Sequence, residues 1–234
     1  MPVTTRGLLL TGVLLILPGR ALAGPPYVSD DPEPTETGHW ENYHFALVQG
    51  AEGQAGFDLN YGPAKNLQLT AIIPLQWERS GKTVGTGEVE LAVKYRVLHA
   101  SEGSLAPDVS PYPSVNLPTG PFSSGRASVL VPIWAQKDVG PWTVFGGGGY
   151  TWNPGERDFW RGGVVVQRKI TEEISFGAEY YYQGADKPGD HALNGANLAV
   201  LYKITKRWSL IASGGPQYQG GRRGAGYVAL KAEF

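Results

Sequence analysis

The sequence predicts an all-β chain, an antiparallel transmembrane β-barrel of about twelve strands, with ten or eight as alternatives. Three observations lead there. Segments of alternating hydrophobicity recur along the chain, each near the ~9–11 residues that a tilted strand needs to cross a bilayer. The first 23 residues read as an export leader. The last segment, "GYVALKAEF", alternates strictly and stops on Phe234.

The leader comes first in the chain. Arg6 precedes the apolar run "GLLLTGVLLILPG" at 7–19, which is too short to span a bilayer as a helix, and "ALA" follows at 21–23. Charged start, short apolar run and small residues together predict a signal peptide over 1–23, cut after Ala23. The chain has no Cys, so a lipid-modified terminus and disulfides are excluded. Residues 24–38, "GPPYVSDDPEPTETG", are rich in Pro and acid and predict an irregular or extended segment. Residues 39–234 are assigned to the barrel.

Strands are expected near 40–51, 54–63, 66–78, 86–99, 108–117, 127–137, 141–153, 158–170, 173–184, 192–204, 207–218 and 223–234. "EVELAVKYRV" is the clearest. It sets Val89, Leu91, Val93, Tyr95 and Val97 against Glu88, Glu90, Lys94 and Arg96, a separation that only a period of two produces. "LQLTAIIPLQW", "ISFGAEYYY" and "NLAVLYKI" repeat it. Short turns ("PAK", "DVG", "TEE", "TKR") alternate with longer loops ("ERSGKTVGTG", "PTGPFSSGRA", "GADKPGDHA", "QGGRRG"), as in membrane barrels; "HASEGSLAPD" is long where a short turn is expected. Trp40, Tyr43, Tyr61, Trp77, Trp142, Tyr150, Trp152, Trp160, Tyr202 and Trp208 lie near segment ends, where interfacial aromatics belong. Pro74, Pro111, Pro113 and Pro132 predict local breaks, and Gly146–Gly149 a bend or a close backbone approach.

Net charge is −1, with no basic block to neutralise phosphates, which excludes a nucleic-acid partner. The ionisable parity of each strand points to an aqueous or ion-paired lumen. Its expected lining is Glu78, Glu88, Glu90, Lys94, Arg96, Arg161, Lys169, Glu179, Lys203, Lys231 and Glu233. Both signs are mixed, so these groups are expected to pair and narrow the lumen, Glu88 and Glu90 with Lys or Arg of neighbouring strands. Asp30, Asp31 and His39 are the candidates for contacts between the N-terminal segment and the lumen. The spacing of Asp30, Asp31, Glu33, Glu36 and His39 matches no EF-hand, and no metal or cofactor is expected. Asp190–His191 in an outer loop, His44, and Ser209 and Ser213 make no nucleophile–base pair by position, so no catalytic residues are assigned and no enzyme is expected.

Two resemblances follow from these residues. Phe234 with Ala232, Leu230 and Val228 resembles the terminal signal read by the barrel-assembly machinery of the bacterial outer membrane, although Ala232 stands where an aromatic is usual. "GPPYVSDDPEPTETGHWENY", through Ser29, Asp30, Asp31, Pro32, Gly38, His39, Trp40 and Glu41, resembles the opening of the meta-pathway phenol-degradation, transporter-like family. That resemblance implies an outer-membrane protein among lipid and lipopolysaccharide. It implies uptake of small organic solutes, aromatic ones included, and twelve strands, between a filled eight-stranded barrel and an open sixteen-stranded porin, point to a narrow or plugged passive channel. A monomer is expected. A structural barrel without transport, or a barrel hydrolase, is the alternative.

Overall fold

The computed structural model describes residues 25–50, 52–77, 84–101, 103–123 and 125–234. The expected leader at 1–23 and Glu78 lie outside these residues. Fourteen strand segments form: β1 (Trp40–Gln49), β2 (Glu52–Ala64), β3 (Leu67–Trp77), β4 (Val84–Thr86), β5 (Val89–Tyr95), β6 (Asp108–Pro111), β7 (Ser114–Leu117), β8 (Ser128–Val139), β9 (Trp142–Trp152), β10 (Phe159–Lys169), β11 (Ile174–Gln183), β12 (Leu193–Lys203), β13 (Trp208–Tyr218) and β14 (Arg222–Glu233). They make twelve staves. β4 and β5 both pair with β3 and form one stave, interrupted where the Gly87 N–H donates to the Pro74 carbonyl at 2.8 Å. β6 and β7 both pair with β8, interrupted at Tyr112–Pro113. Proline has no N–H to give a ladder, so both breaks fall where the sequence expects them.

Every neighbouring pair is antiparallel, and β1 pairs with both β2 and β14. The sheet therefore closes and leaves no edge, the condition for a sheet that spans lipid. Trp40 and Phe234 exchange backbone bonds of 2.7 and 3.1 Å at the seam. The end of the barrel that holds both residues is called here the terminal end. It carries tight turns such as the one at Gly140, whose positive φ of 58° suits glycine. The connection from β5 to β6 is the exception anticipated above. It is tied down by Lys137, whose ammonium donates to the carbonyls of Ser104 and Ala106, and by His99 against Asp108 at 3.1 Å. The opposite, loop end carries the longer connections, with two exceptions: β1 ends at Gln49 and β2 starts at Glu52, and β13 ends at Tyr218 and β14 starts at Arg222, so the stretch expected as the long loop "QGGRRG" is a tight turn running into β14.

Side-chain alternation decides which solvent the barrel faces. On β3, Leu69, Ile73 and Leu75 are exposed outward while Gln68 and Thr70 are buried inside. β5 exposes Leu91, Val93 and Tyr95 and buries Lys94; β11 exposes Phe176, Tyr180 and Tyr182 and buries Glu179. Leu198 on β12 is 73% exposed beside buried Asn197. An apolar band around a polar interior inverts a water-soluble protein and suits hydrocarbon. Aromatic side chains ring the band: Trp40 stacks on Tyr61 at 4.7 Å, and the Arg168 guanidinium lies 5.1 Å over Trp142.

Tyr43 departs from its expected place in that belt. It turns inward and is 5% exposed. With Phe45, Leu201, Ile211 and Ala229, and with Ile72 and Tyr227 packed against them, it forms an apolar cluster inside the barrel. The β12–β13–β14–β1 wall thus carries an apolar patch between polar groups such as Gln217 and Lys231, and the β3–β5 wall is polar and charged at Gln68 and Lys94.

Candidate functional site

The lumen is occupied by the chain's own N-terminal segment. From Pro25 to Gly38 it runs from mid-barrel to the terminal end, bonding to one wall after another. The Pro26 carbonyl accepts from Ser213 Oγ at 2.7 Å. Tyr27 donates to Gln167 at 3.3 Å and sets its ring edge-on to Phe145 at 5.6 Å. The N–H groups of Val28 and Ser29 both donate to the Glu179 carboxylate, at 3.1 and 2.7 Å. On the far wall the Pro32 carbonyl accepts from Ser110 Oγ at 2.5 Å, and Thr35 donates to Gln68 at 2.8 Å. Thr37 makes a parallel bridge with Gly62, and the chain then turns at Gly38 into β1. A segment too rich in proline to make a strand of its own has its backbone satisfied by side chains of the staves.

Three inward glycines make room for it. A Cβ at Gly163 on β10 would collide with Ser29 Oγ, one at Gly177 on β11 with Tyr27 Oη, and one at Gly62 with the Glu36 carbonyl. The Gly146–Gly149 run lies close to backbone too, but that of its neighbour strands: a Cβ at Gly146 or Gly148 would meet β10 and one at Gly149 would meet β8.

Lys94 is the electrostatic centre of the docking. Its side chain is 4% exposed, 2.9 Å from the Asp30 carboxylate and 3.8 Å from that of Asp31, and 4.7 Å over the Tyr112 ring. Arg96 lies 4.0 Å from Glu33 and 3.9 Å from Asp108. Burial pushes the Asp31 carboxyl up to about 7, against the pull of Lys94. Burial also pushes the Tyr27 phenol up.

The other sequence candidates fall into three places. Glu88 and Glu90 face the lumen toward the loop end, and the strand neighbours of Glu90 are not the expected Lys or Arg. Glu90 stands opposite Ile72 and Asn116, and its cation is Arg161 across the lumen. Lys231 and Glu233 sit at the closing seam. The register sets Glu41 directly opposite Glu233, and Lys231 bridges the two carboxylates at 3.1 and 2.9 Å. Lys169 pairs with Glu172 in the β10–β11 turn at 2.7 Å, and Lys203 is exposed at the terminal end. His39 stays outside the lumen, exposed and 4.0 Å from Glu36. Asp30 and Asp31 are therefore the two of the three N-terminal candidates that meet the wall.

All four histidines are exposed. His44 points outward, edge-on to Phe57 at 5.0 Å. Ser213 gives its hydroxyl to Pro26. Among the described residues no cluster of three or more metal-ligating side chains forms.

Above the segment, toward the loop end, lies a cavity of about 290 Å³, floored by Pro25–Val28 and walled by Phe45, Leu47, Ile72, Tyr181 and Tyr227. A vestibule of about 420 Å³ bears Glu88, Glu156, Asp186 and Lys187. A third space of about 200 Å³ surrounds Lys94 and its acids. Arg161 lines all three. The sequence marked Arg161 and Glu179 by parity. It did not mark Tyr27, Gly163, Gly177 or the apolar wall.

No protein-family model matches the sequence, and no curated protein matches it. Solved structures do match in fold. The COG4313 outer membrane channel from Pseudomonas putida F1 superposes with a TM-score of 0.65 at 13% identity, covering 87% of this chain and 98% of that one. The KdgM porin in complex with disordered oligogalacturonate gives 0.62 at 12% identity, over 83% and 99%. The NanC porin gives 0.62 at 9% identity, over 82% and 98%. This chain has the twelve-stranded barrel fold that these outer-membrane channels share.

Proposed function

We propose that this chain is a passive outer-membrane uptake channel for small organic solutes, closed at rest by residues 25–38. The observation that carries the reading is the docking itself: a segment held inside an otherwise hollow barrel by side chains on opposite walls, Glu179 and Ser213 on one and Lys94, Gln68 and Ser110 on the other. An eight-stranded barrel fills with its own side chains; twelve staves leave a lumen wide enough to need a stopper. The terminal end faces the periplasm and the longer loops face outward, by the asymmetry usual in such barrels. The shared fold with three channels supports both location and transport. Membership of the phenol-degradation family rests on Ser29–Glu41, and recognition by the assembly machinery on Phe234. The lipid and lipopolysaccharide environment and the monomeric state belong to the same proposal.

Liposome swelling tests it. The full chain should speed swelling in a small organic solute above empty vesicles, and removal of residues 25–36 should raise the rate several-fold. Rates equal to empty vesicles for both chains would leave a structural barrel without transport.

A further inference from the structure

The cavity above the segment combines features that the channel reading leaves unused. Arg161 projects from β10 at the junction of the three spaces, half-buried. Among the described residues, no hydrogen bond or ion pair within 4 Å engages its guanidinium; Glu90 influences it only through space. A guanidinium offers a planar fork of donors that matches a carboxylate in two parallel bonds. Phe45, Ile72, Tyr181 and Tyr227 supply an apolar and aromatic wall to the same cavity. Asn197, 7% exposed, lines it as well. Its Nδ2 donates to Glu179 at 2.9 Å, while its Oδ1 is buried with no partner. A buried acceptor left without a donor costs free energy until a donor arrives. At about 290 Å³ the space is near the lower end of small-molecule sites, which run from ~300 Å³.

We infer that this cavity is a selectivity site for a small amphipathic carboxylate: Arg161 takes the carboxylate, the Phe45–Ile72–Tyr227 wall takes an apolar body of ring size, and Asn197 Oδ1 accepts from a hydroxyl on the same solute. The inference rests on the channel reading, since it names the class of solute for that lumen. Asp58 lines the cavity too, but the Asn60 amide donates to it at 2.8 Å. Glu90 competes for Arg161 with any incoming acid.

Equilibrium binding separates this inference from transport. Titration calorimetry on the purified, folded full chain in detergent would use benzoate, 4-hydroxybenzoate, benzyl alcohol and acetate. Benzoate should bind at least tenfold more tightly than benzyl alcohol, which lacks the charge, and than acetate, which lacks the ring; 4-hydroxybenzoate should bind more tightly still. Arg161→Gln should erase the preference for benzoate over benzyl alcohol, Arg161→Lys should keep part of it, and Glu90→Gln should strengthen benzoate binding. Heat-modifiable mobility in gels would verify that each variant is folded. Equal affinity of wild-type protein for benzoate and benzyl alcohol, or a preference that survives Arg161→Gln, overturns the site and leaves the channel reading standing. Arg161-dependent binding without accelerated liposome swelling would support the site and remove the channel.

Discussion

The ammonium of Lys94 sits 2.9 Å from the carboxylate of Asp30, linking a barrel stave to a segment that belongs to no stave. A cation this deep holds its charge only while carboxylates face it, so the pair is a latch as much as a bond. Replacing Lys94 by Met should leave Asp30 and Asp31 buried beside an apolar chain and drive the segment out. The expected readout is a several-fold rise in liposome swelling with the barrel still heat-modifiable. An unchanged swelling rate would remove Lys94 from the latch.

The seam has its own cation. Glu41 and Glu233 stand in register on β1 and β14 and would repel each other but for Lys231 between them. Lys231→Met should cost about 3 kcal/mol of barrel stability, the lower end of the ~3–5 expected for one member of a buried pair because both carboxylates are partly wet. Urea unfolding in detergent reads this. Lys231→Met with Glu233→Gln should recover a large part of the loss.

Much of this arrangement is legible in the sequence. On β5, Glu90 and Lys94 fall on one parity and Leu91, Val93 and Tyr95 on the other, so strand, direction and lipid face can all be read from ten residues. β1 is different. "WENYHFALVQ" carries apolar side chains on both parities, and only pairing with β14 and β2 decides that Tyr43, Phe45 and Leu47 face inward while His44 faces out. The docking of residues 25–38 was legible only as acids that need cations. That Lys94 is their partner depends on contacts more than sixty residues apart in sequence. Gly163 and Gly177 look like ordinary strand glycines until Ser29 and Tyr27 arrive opposite them.

Asp31 gives the latch a pH dependence. Its carboxyl is pushed by burial up to about 7 when docked and returns toward the ordinary value of about 4 when the segment is free. The docked form therefore holds its proton more tightly. Docking is strongest below about pH 4 and weakens as pH rises through 7. Solute flux through the full chain should be lower at pH 5 than at pH 8, and Asp31→Asn should flatten the difference by keeping the segment docked. Flux that falls as pH rises would contradict the assignment.

Gly177 tests the fit of the segment from the side of the wall. A valine there would occupy the space of the Tyr27 hydroxyl without touching the lipid face. The variant should fold as a barrel, lose protection of residues 25–38 from proteases and swell liposomes faster than wild type. Unaltered protection would mean that the segment does not pack against β11.

The central claim is that residues 25–38 lie inside the barrel and close it, and one cross-link measures both parts. The chain has no cysteine, so a pair can be placed freely. Ser29→Cys with Gly163→Cys should form a disulfide in intact outer membranes, because a Cβ at Gly163 falls against the Ser29 hydroxyl. Ser29→Cys with Gly162→Cys, on the outward-facing neighbour, should not. The oxidised first pair should swell liposomes no faster than empty vesicles, and reduction should restore the wild-type rate. Absence of the first cross-link, or equal swelling before and after reduction, would contradict the account.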